Sequence, residues 1–217
     1  MAGAILLLAV LAAVRLLPPD HPRARAEPDP AGFLALLARP ELLRMFAVGF
    51  SGFFVFSAIF NYLPFYLSEP PLHASVRVIT LLYLAYVFGI AAGPLAGKMT
   101  DRLGTGLTLV CGSLLFAAAI AATLVSSLPL IAASLAAICA GFFAVHAAAV
   151  GSLNRRLTSS RGRANSIYVL AYYLGAAAGI TATGLAYARF GWRGAVALGI
   201  AALSVPLGIG VREALKG

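Results

Sequence analysis

Long apolar stretches separated by short polar segments form the dominant pattern along the chain. Six of them, at about 42–67, 76–98, 105–126, 128–153, 163–188 and 191–211, are each long enough to cross a bilayer as a helix. A further apolar stretch, 2–17, precedes a segment at 18–40 that is rich in proline and charge. The pattern predicts an all-α polytopic transmembrane helix bundle, with six spans plus an N-terminal helix stub.

The N-terminal stub could be a secretory signal peptide or part of a membrane helix. A signal peptide places basic residues before its apolar run, but here the first basic residue, Arg15, comes near the end of the run. We therefore interpret 1–17 as the tail of a preceding transmembrane helix, 18–40 as a cytoplasmic linker and 41–217 as the six-helix unit.

Composition supports a membrane protein. Of the 217 residues, 61% are hydrophobic and 11% are charged, whereas soluble domains carry about 25% charged residues. The net charge is +9, but the basic residues lie in short loops and form no single stripe, so we expect no nucleic-acid partner. Cys111 and Cys139 lie within apolar stretches, where we expect packing, and we expect no metal and no cofactor.

The basic residues predict the orientation of the bundle. With six spans, one side holds Arg15, Arg23, Arg25, Arg39, Arg44, Lys98, Arg102, Arg155, Arg156, Arg161, Arg163, Arg212 and Lys216, and the other holds Arg77, Arg189 and Arg193. Because basic loops stay in the cytoplasm, we predict that the linker and the C-terminus are cytoplasmic. Trp192 would then lie at the outer interface as an anchoring aromatic residue.

The stretch "GIAAGPLAGKMTDRLG", at 89–104, ends an apolar span in a group of opposite charges. Gly89, Gly93 and Gly97 recur every four residues, so they share one helix face on which another helix could approach closely. Asp101 could cap the following helix or, like Arg102, pair with a charge on a neighbouring loop.

"GKMTDRLG" resembles the loop signature of the major facilitator superfamily, Gly-x-x-x-Asp-Arg-x-Gly-Arg-Arg. "SSRGRANS" at 159–166 and "YYLGAAAGITATGLAYARFGW" at 172–192 continue the resemblance in the family's order. Thr105 and Gly106 stand where the signature has its two closing arginines, which is similar to the second copy of the motif, between helices eight and nine of the family's twelve. The resemblance implies a C-terminal six-helix half-domain, with helices seven to twelve at 41–217.

In that family the charged turn is a gate element. The resemblance implies that Asp101 holds a helix N-terminus of the opposite half and that Gly97 and Gly104 form the tight turn. The matching gating motif comprises Gly97, Asp101, Arg102, Gly104, Arg161, Gly162 and Arg163. The implied function is alternating-access transport of a small solute across a bacterial inner membrane, with efflux of drugs or sugars favoured. The expected partners are the lipid bilayer and either a missing N-terminal six-helix half or a second copy.

Polar groups within the spans are the candidates for substrate contact, because such groups are costly in hydrocarbon. No acidic or basic residue lies near the middle of a span, and the tyrosines fall in the first, second and fifth spans. By resemblance, helices seven, eight, ten and eleven line the central cavity. The candidate substrate-binding residues are Asn61, Tyr83, Tyr86, His146, Tyr168 and Tyr172. For each tyrosine, helix packing or interface anchoring is the more common role, and His146 is the residue here that could carry a coupling proton.

Two other classes of protein stay open. The chain could be a stand-alone six-helix membrane protein that acts as a homodimer or as a binding or assembly module. A serine hydrolase would need a pair such as His146 and Ser152, but residues six apart lie on different helix faces and no companion motif accompanies them. We therefore expect no enzymatic activity.

Overall fold

The computed structural model describes residues 32–216, and the regular elements within that range are all helical. They are α1 (Phe33–Leu37), α2 (Pro40–Ser68), α3 (Val76–Leu82), a 3-10 turn (Tyr83–Ala85), α4 (Tyr86–Ala122), α5 (Leu128–Arg155) and α6 (Arg161–Ala214). The predicted all-α class is confirmed for this range. The stub and most of the predicted linker lie outside it, and the last part of that linker segment contains α1.

Several helices begin where the sequence carries a start signal. Pro40 and Pro129 occupy the first turns of α2 and α5, where a missing amide hydrogen has no cost. Ser75 caps α3, since its Oγ accepts a hydrogen bond of 3.4 Å from the backbone N of Val78. These signals explain why the observed bounds of α2 and α5 lie within a few residues of the predicted spans.

Elements α4 and α6 each consist of two helices joined at a glycine with a non-helical backbone. Gly104 in α4 has φ 79° and ψ 166°, and Gly191 in α6 has φ 59° and ψ −152°. A positive φ strains any residue that has a Cβ, so glycine suits both positions. A straight helix of 54 residues, the length of α6, would be about 80 Å long, against a hydrocarbon core of about 30 Å.

The chain reverses direction at both glycines. Before Gly191, helix α6 passes Phe50 of α2 at Gly175. After Gly191, it passes the next residue of α2, because Ser51 Oγ donates a hydrogen bond of 2.5 Å to the carbonyl oxygen of Ala202. The two parts of α6 therefore lie side by side against the same level of α2.

Helix α4 folds back on α5 in the same way. Gly89, before the reversal, lies against the ring of Phe143. Phe116, after it, packs on Phe142 with ring centroids 6.3 Å apart. By length and composition, four described helices could cross a membrane, Pro40–Ser68, Ala92–Ala122, Leu128–Arg155 and Arg161–Ala214, and two of these contain the reversals.

Close backbone packing occurs at different glycines from those that the sequence pattern emphasised. A Cβ added to Gly93 or Gly97 would have no heavy atom of another part of the described chain within 4 Å. A Cβ on Gly175 or Gly179 would instead overlap the carbonyl oxygen of Phe50 or Phe54 in α2. Gly175 and Gly179 therefore allow α6 to approach the backbone of α2 closely.

Candidate substrate cavity and charged end

One end of the bundle, which we call the charged end, carries two groups of ion pairs: Arg44 and Arg156 with Glu213, and Arg155 with Asp101. Glu213, in the last turn of α6, is the centre of the first group. The Nε of Arg44 lies 3.1 Å from Oε1 of Glu213 without the geometry of a hydrogen bond, and Arg156 donates a hydrogen bond to Oε2. The side chain of Glu213 is only 9% exposed, so this carboxylate joins the start of α2, the end of α5 and the end of α6 away from water.

Asp101 lies at the same end, close to a different arginine. Its Oδ1 is 3.9 Å from Nη1 of Arg155, and both side chains are more than half exposed. Arg155 also donates a hydrogen bond of 3.0 Å to Oγ1 of Thr105, which follows the reversal at Gly104. Of the two roles that the sequence left open, the contact with a neighbouring basic residue is the one seen, and Asp101 lies within helical backbone.

The remaining residues of the predicted gating motif lie on or near the surface of this end. Gly104 forms the reversal, whereas Gly97 is in regular helix. Arg161 donates a hydrogen bond of 2.7 Å from Nε to the carbonyl oxygen of Leu157, which ties it to the α5–α6 connection. Three further motif residues are exposed: Arg102, Gly162 and Arg163.

The opposite end of the bundle is held by aromatic residues. The Trp192 ring stacks on Tyr66 with centroids 4.9 Å apart, and its Nε1 donates a hydrogen bond of 3.0 Å to Oγ1 of Thr123. Trp192 is only 5% exposed. The observed role differs from the expected anchoring at the interface. A tryptophan that is buried and hydrogen-bonded to a neighbouring helix fixes how the helices pack.

Between α5 and α6 lies a cavity of about 350 Å³, which we call the His146 cavity. Nδ1 of His146 and the hydroxyl of Tyr168 share a hydrogen bond of 3.1 Å across the two helices. Tyr168 is only 2% exposed, and its ring lies so close to Gly49 that a Cβ there would overlap it. The main role of Tyr168 is therefore to position His146, and little of its side chain faces the cavity. None of the lining residues is acidic or carries a permanent positive charge; they are His146, Val150, Asn165, Tyr168, Val169, Tyr172 and Tyr173.

A pair of amides closes one side of this cavity. Asn165 donates a hydrogen bond of 2.9 Å to Oδ1 of Asn154, and Asn154 donates one of 3.4 Å in return. Each amide also bonds to backbone of its own helix, at the carbonyls of Val150 and Arg161. Because these donors are satisfied inside the protein, the pair acts as a structural link between α5 and α6.

Aromatic rings extend from the cavity along the bundle. Phe53 of α2 stacks on Tyr172 with centroids 3.7 Å apart and planes 16° apart, and Phe56 stacks on Phe142 at 4.1 Å. We call the connected set the aromatic cluster: Phe53, Phe56, Phe60, Tyr83, Tyr86, Phe116, Phe142, Phe143, His146, Tyr168, Tyr172 and Tyr173.

Five of the six predicted substrate residues belong to this cluster, although only three line the His146 cavity. Tyr83 donates a hydrogen bond to the carbonyl oxygen of Phe60. Tyr86 is 39% exposed and packs against the ring of Phe60. Asn61 lies elsewhere, exposed, with Nδ2 bonded at 2.7 Å to the carbonyl oxygen of Ser57 in its own helix.

Sequence reasoning overlooked several residues of these sites. Glu213 received no role, although it is an acidic residue directly after the last apolar span and could have been paired with the arginines of the same side. The sequence gives no reason to single out Phe53 or Tyr173, because it does not show which rings meet across helices. Within the described range, no group of His, Cys, Asp and Glu residues is placed to hold a metal ion.

The hydrolase pair is not assembled. Oγ of Ser152 accepts a hydrogen bond of 3.0 Å from Nε of Arg156 near the charged end, whereas His146 bonds to Tyr168. The long apolar helices, the uncharged cavity between two of them and the separation of a charged end from an aromatic end define a multi-pass helical membrane protein.

Comparison with known proteins then gives the family. A sequence profile of the Major Facilitator Superfamily matches residues 70–212, and the chain belongs to this family. It is 36% identical over 168 residues to the inner membrane transport protein YnfM of Escherichia coli, a match that covers 77% of this chain and 40% of YnfM.

Two further relatives are also described as transporters. The chain is 28% identical to the uncharacterised MFS-type transporter YybF of Bacillus subtilis, over 73% of this chain and 39% of YybF. It is 33% identical to the probable transporter SCO4007 of Streptomyces coelicolor, over 90% of this chain and 47% of SCO4007. The chain thus spans less than half the length of these curated relatives.

Proposed function

We propose that this chain is the C-terminal half of a secondary transporter that moves a small solute across the membrane by alternating access, without chemistry on the solute. The observation that carries the proposal is the His146 cavity, an uncharged polar space of about 350 Å³ between two long apolar helices of a facilitator-superfamily chain. Polar side chains within a membrane-spanning region are costly and mark solute pathways in many transporters.

The proposed topology has six crossings. The first lies in α2, and α3 with the part of α4 before Gly104 forms the second. The rest of α4 and the whole of α5 are the third and fourth, and the two parts of α6 on either side of Gly191 are the fifth and sixth. Support comes from the reversals and from the grouping of Arg155, Arg156 and Glu213 at one end. The excess of basic residues at that end favours a cytoplasmic position for it, in a bacterial inner membrane.

The proposed partner is a first half that completes the cavity. In transporters of this kind, substrate lies near the midplane between two halves that rock about it. Asp101, with a side chain that is 75% exposed and only a 3.9 Å contact to Arg155, is available to contact such a half. The lengths of YnfM and SCO4007 favour this arrangement over the stand-alone alternative.

The proposal also includes the efflux direction and proton coupling. The efflux direction is supported by the glycine-rich sequence at 172–192, which in this chain serves the close packing of α6 on α2 at Gly175 and Gly179. Among the lining residues, His146 is the side chain with a basic nitrogen, so any coupling proton carried by this half would bind there.

A chimera tests the proposal. The segment of YnfM that matches this chain is replaced by the chain, and the purified chimera is reconstituted into proteoliposomes with a panel of labelled neutral, cationic and anionic solutes. We expect saturable flux of at least one solute, reduced by Tyr172→Leu in the cavity and retained by Tyr187→Leu, the same exchange outside the cavity on the same helix.

The chimera must first insert and remain monodisperse in detergent, as judged by gel filtration. Given that, absence of saturable flux for every solute of the panel would contradict the transport proposal. Equal flux in the Tyr172→Leu and Tyr187→Leu chimeras would contradict the assignment of the cavity.

A further inference from the structure

The His146 cavity presents two aromatic faces that meet at a right angle. The rings of Tyr172 and Tyr173 have centroids 5.4 Å apart and planes at 88°. Phe53 stacks on Tyr172 and lies edge-on to Tyr173, with planes at 76° and centroids 5.8 Å apart, so it supports both rings from within the bundle. Tyr173 is 62% exposed. A planar ring placed in such a corner meets one tyrosine face to face and the other edge to face, the two arrangements that aromatic pairs prefer.

Besides the hydroxyls of Tyr172 and Tyr173, one further polar group stands beside this corner. His146 uses Nδ1 in its bond to Tyr168, and its ring centroid is 5.3 Å from that of Tyr172. Within residues 32–216 no hydrogen bond to Nε2 of His146 is present, and this atom is not among the fully enclosed unsatisfied ones. The amides of Asn154 and Asn165 are already paired with each other. Nε2 therefore offers one hydrogen-bonding site to a solute.

The lining also disfavours a negatively charged solute. Among the described residues, no arginine or lysine lines the cavity, so a carboxylate or phosphate would lose its hydration without gaining a counter-charge. A sugar bears a hydroxyl on most of its carbons, whereas the lining groups without a hydrogen bond among the described residues are Nε2 of His146 and the hydroxyls of Tyr172 and Tyr173. Several sugar hydroxyls would therefore lack partners among these residues.

We propose, as a refinement that rests on the transport function above, that the solute is a planar aromatic molecule that carries no negative charge and bears one hydroxyl or carbonyl group. Its ring system packs in the corner of Tyr172 and Tyr173, and its polar group hydrogen-bonds to Nε2 of His146. The ring supplies most of the contact, and the hydrogen bond sets the orientation.

The test is equilibrium binding to the full chain in lipid nanodiscs, measured by dialysis, with empty nanodiscs subtracted to remove partition into lipid. Three probes of similar size separate the requirements: 2-naphthol, the anion 2-naphthoate and the saturated alcohol decahydro-2-naphthol. We expect saturable binding of 2-naphthol at least tenfold tighter than that of either analogue. Tyr173→Leu, which changes an exposed ring, should weaken 2-naphthol binding about tenfold, and Tyr187→Leu should leave it unchanged.

A further variant isolates the hydrogen bond. His146→Phe keeps a ring in place but removes both nitrogens, and with them the bond to Tyr168. It should weaken binding of 2-naphthol severalfold, whereas unchanged binding of naphthalene, which needs no hydrogen bond, shows that the aromatic corner is intact. Equal binding of 2-naphthol and its saturated analogue, tighter binding of the anion, or no saturable binding of 2-naphthol would each overturn the proposed solute class.

The binding test and the transport test can fail independently of each other. The binding measurement needs no flux, and flux of a sugar or an anion by the YnfM chimera without binding of 2-naphthol would overturn the aromatic solute while leaving the transporter proposal standing. Binding of 2-naphthol by the chain, with no flux of any solute by the chimera, would support the aromatic site and count against transport.

Discussion

Replacing Gly175 with alanine should force α2 and α6 apart. A Cβ at this position would lie 2.8 Å from Cα of Phe50 and would overlap the carbonyl oxygen of the same residue, where ordinary contacts begin at 3.4 Å. The obstructing atoms are backbone, so no side-chain rotation can make room, and the two helices must separate along their contact. Adding a methyl group to such a packed site costs about 1–3 kcal/mol.

The same substitution has a stabilising component that must be separated from this cost. Alanine favours helix over glycine by up to about 1 kcal/mol. Gly208→Ala is the matched control, because Gly208 lies in the same helix and a Cβ there would have no other heavy atom of the described chain within 4 Å. The difference between the two variants should therefore report the packing cost alone, with Gly175→Ala less stable by about 1–3 kcal/mol.

The free energy of unfolding is measured by titrating the purified chain in mixed micelles with sodium dodecyl sulfate and following helicity by circular dichroism. Gly179→Ala, whose Cβ would overlap the carbonyl oxygen of Phe54, should behave like Gly175→Ala. If Gly175→Ala proves as stable as Gly208→Ala, the close contact of α2 with α6 is wrong.

The charged end and the connecting loops give three other predictions. Glu213→Gln leaves the largely buried Arg44 without its counter-charge, so it should lower the free energy of unfolding by about 1–5 kcal/mol, between the values for surface and buried pairs. Arg212→Gln, at an exposed position of the same helix turn, is the control in the same titration. Asp101→Asn should change stability by less than about 1 kcal/mol, since its ion pair is exposed, but should lower flux in the chimera; unchanged flux would make Asp101 a surface residue without a gating role. In a background lacking both cysteines, Ser159→Cys and Val76→Cys, at exposed positions, should react with a membrane-impermeant maleimide from opposite sides, and labelling of position 159 in intact cells would reverse the proposed orientation.

Much of the fold could be predicted because membrane helices leave a strong signal in sequence. Each apolar stretch had to be a helix, since hydrocarbon offers no partner for free backbone groups. The predicted break between the spans at 76–98 and 105–126 falls beside Gly104, and the break between 163–188 and 191–211 falls beside Gly191. At both positions glycine marks a change of direction that no other residue adopts easily.

The candidate site was predictable only in part. Choosing polar residues within apolar spans found His146, Tyr168 and Tyr172, which do meet between α5 and α6. The same rule also selected Asn61, which bonds back to its own helix, and such a contact cannot be told from a solute contact by residue type. The rule did not select Tyr173 or Phe53, because an aromatic residue in an apolar helix usually serves helix packing.

The sequence by itself determined the helical class, the places where the chain turns and the separation of basic from aromatic segments, because these depend on local composition and on spacing along one helix. Tertiary structure decided which glycines are contact points and which charges are paired. Gly93 and Gly97 share a helix face, but a Cβ added to either would meet no heavy atom within 4 Å in the described chain, whereas Gly175 meets the backbone of α2. Glu213 is far from Arg44 along the chain and becomes its partner only because α6 turns at Gly191 and returns beside α2.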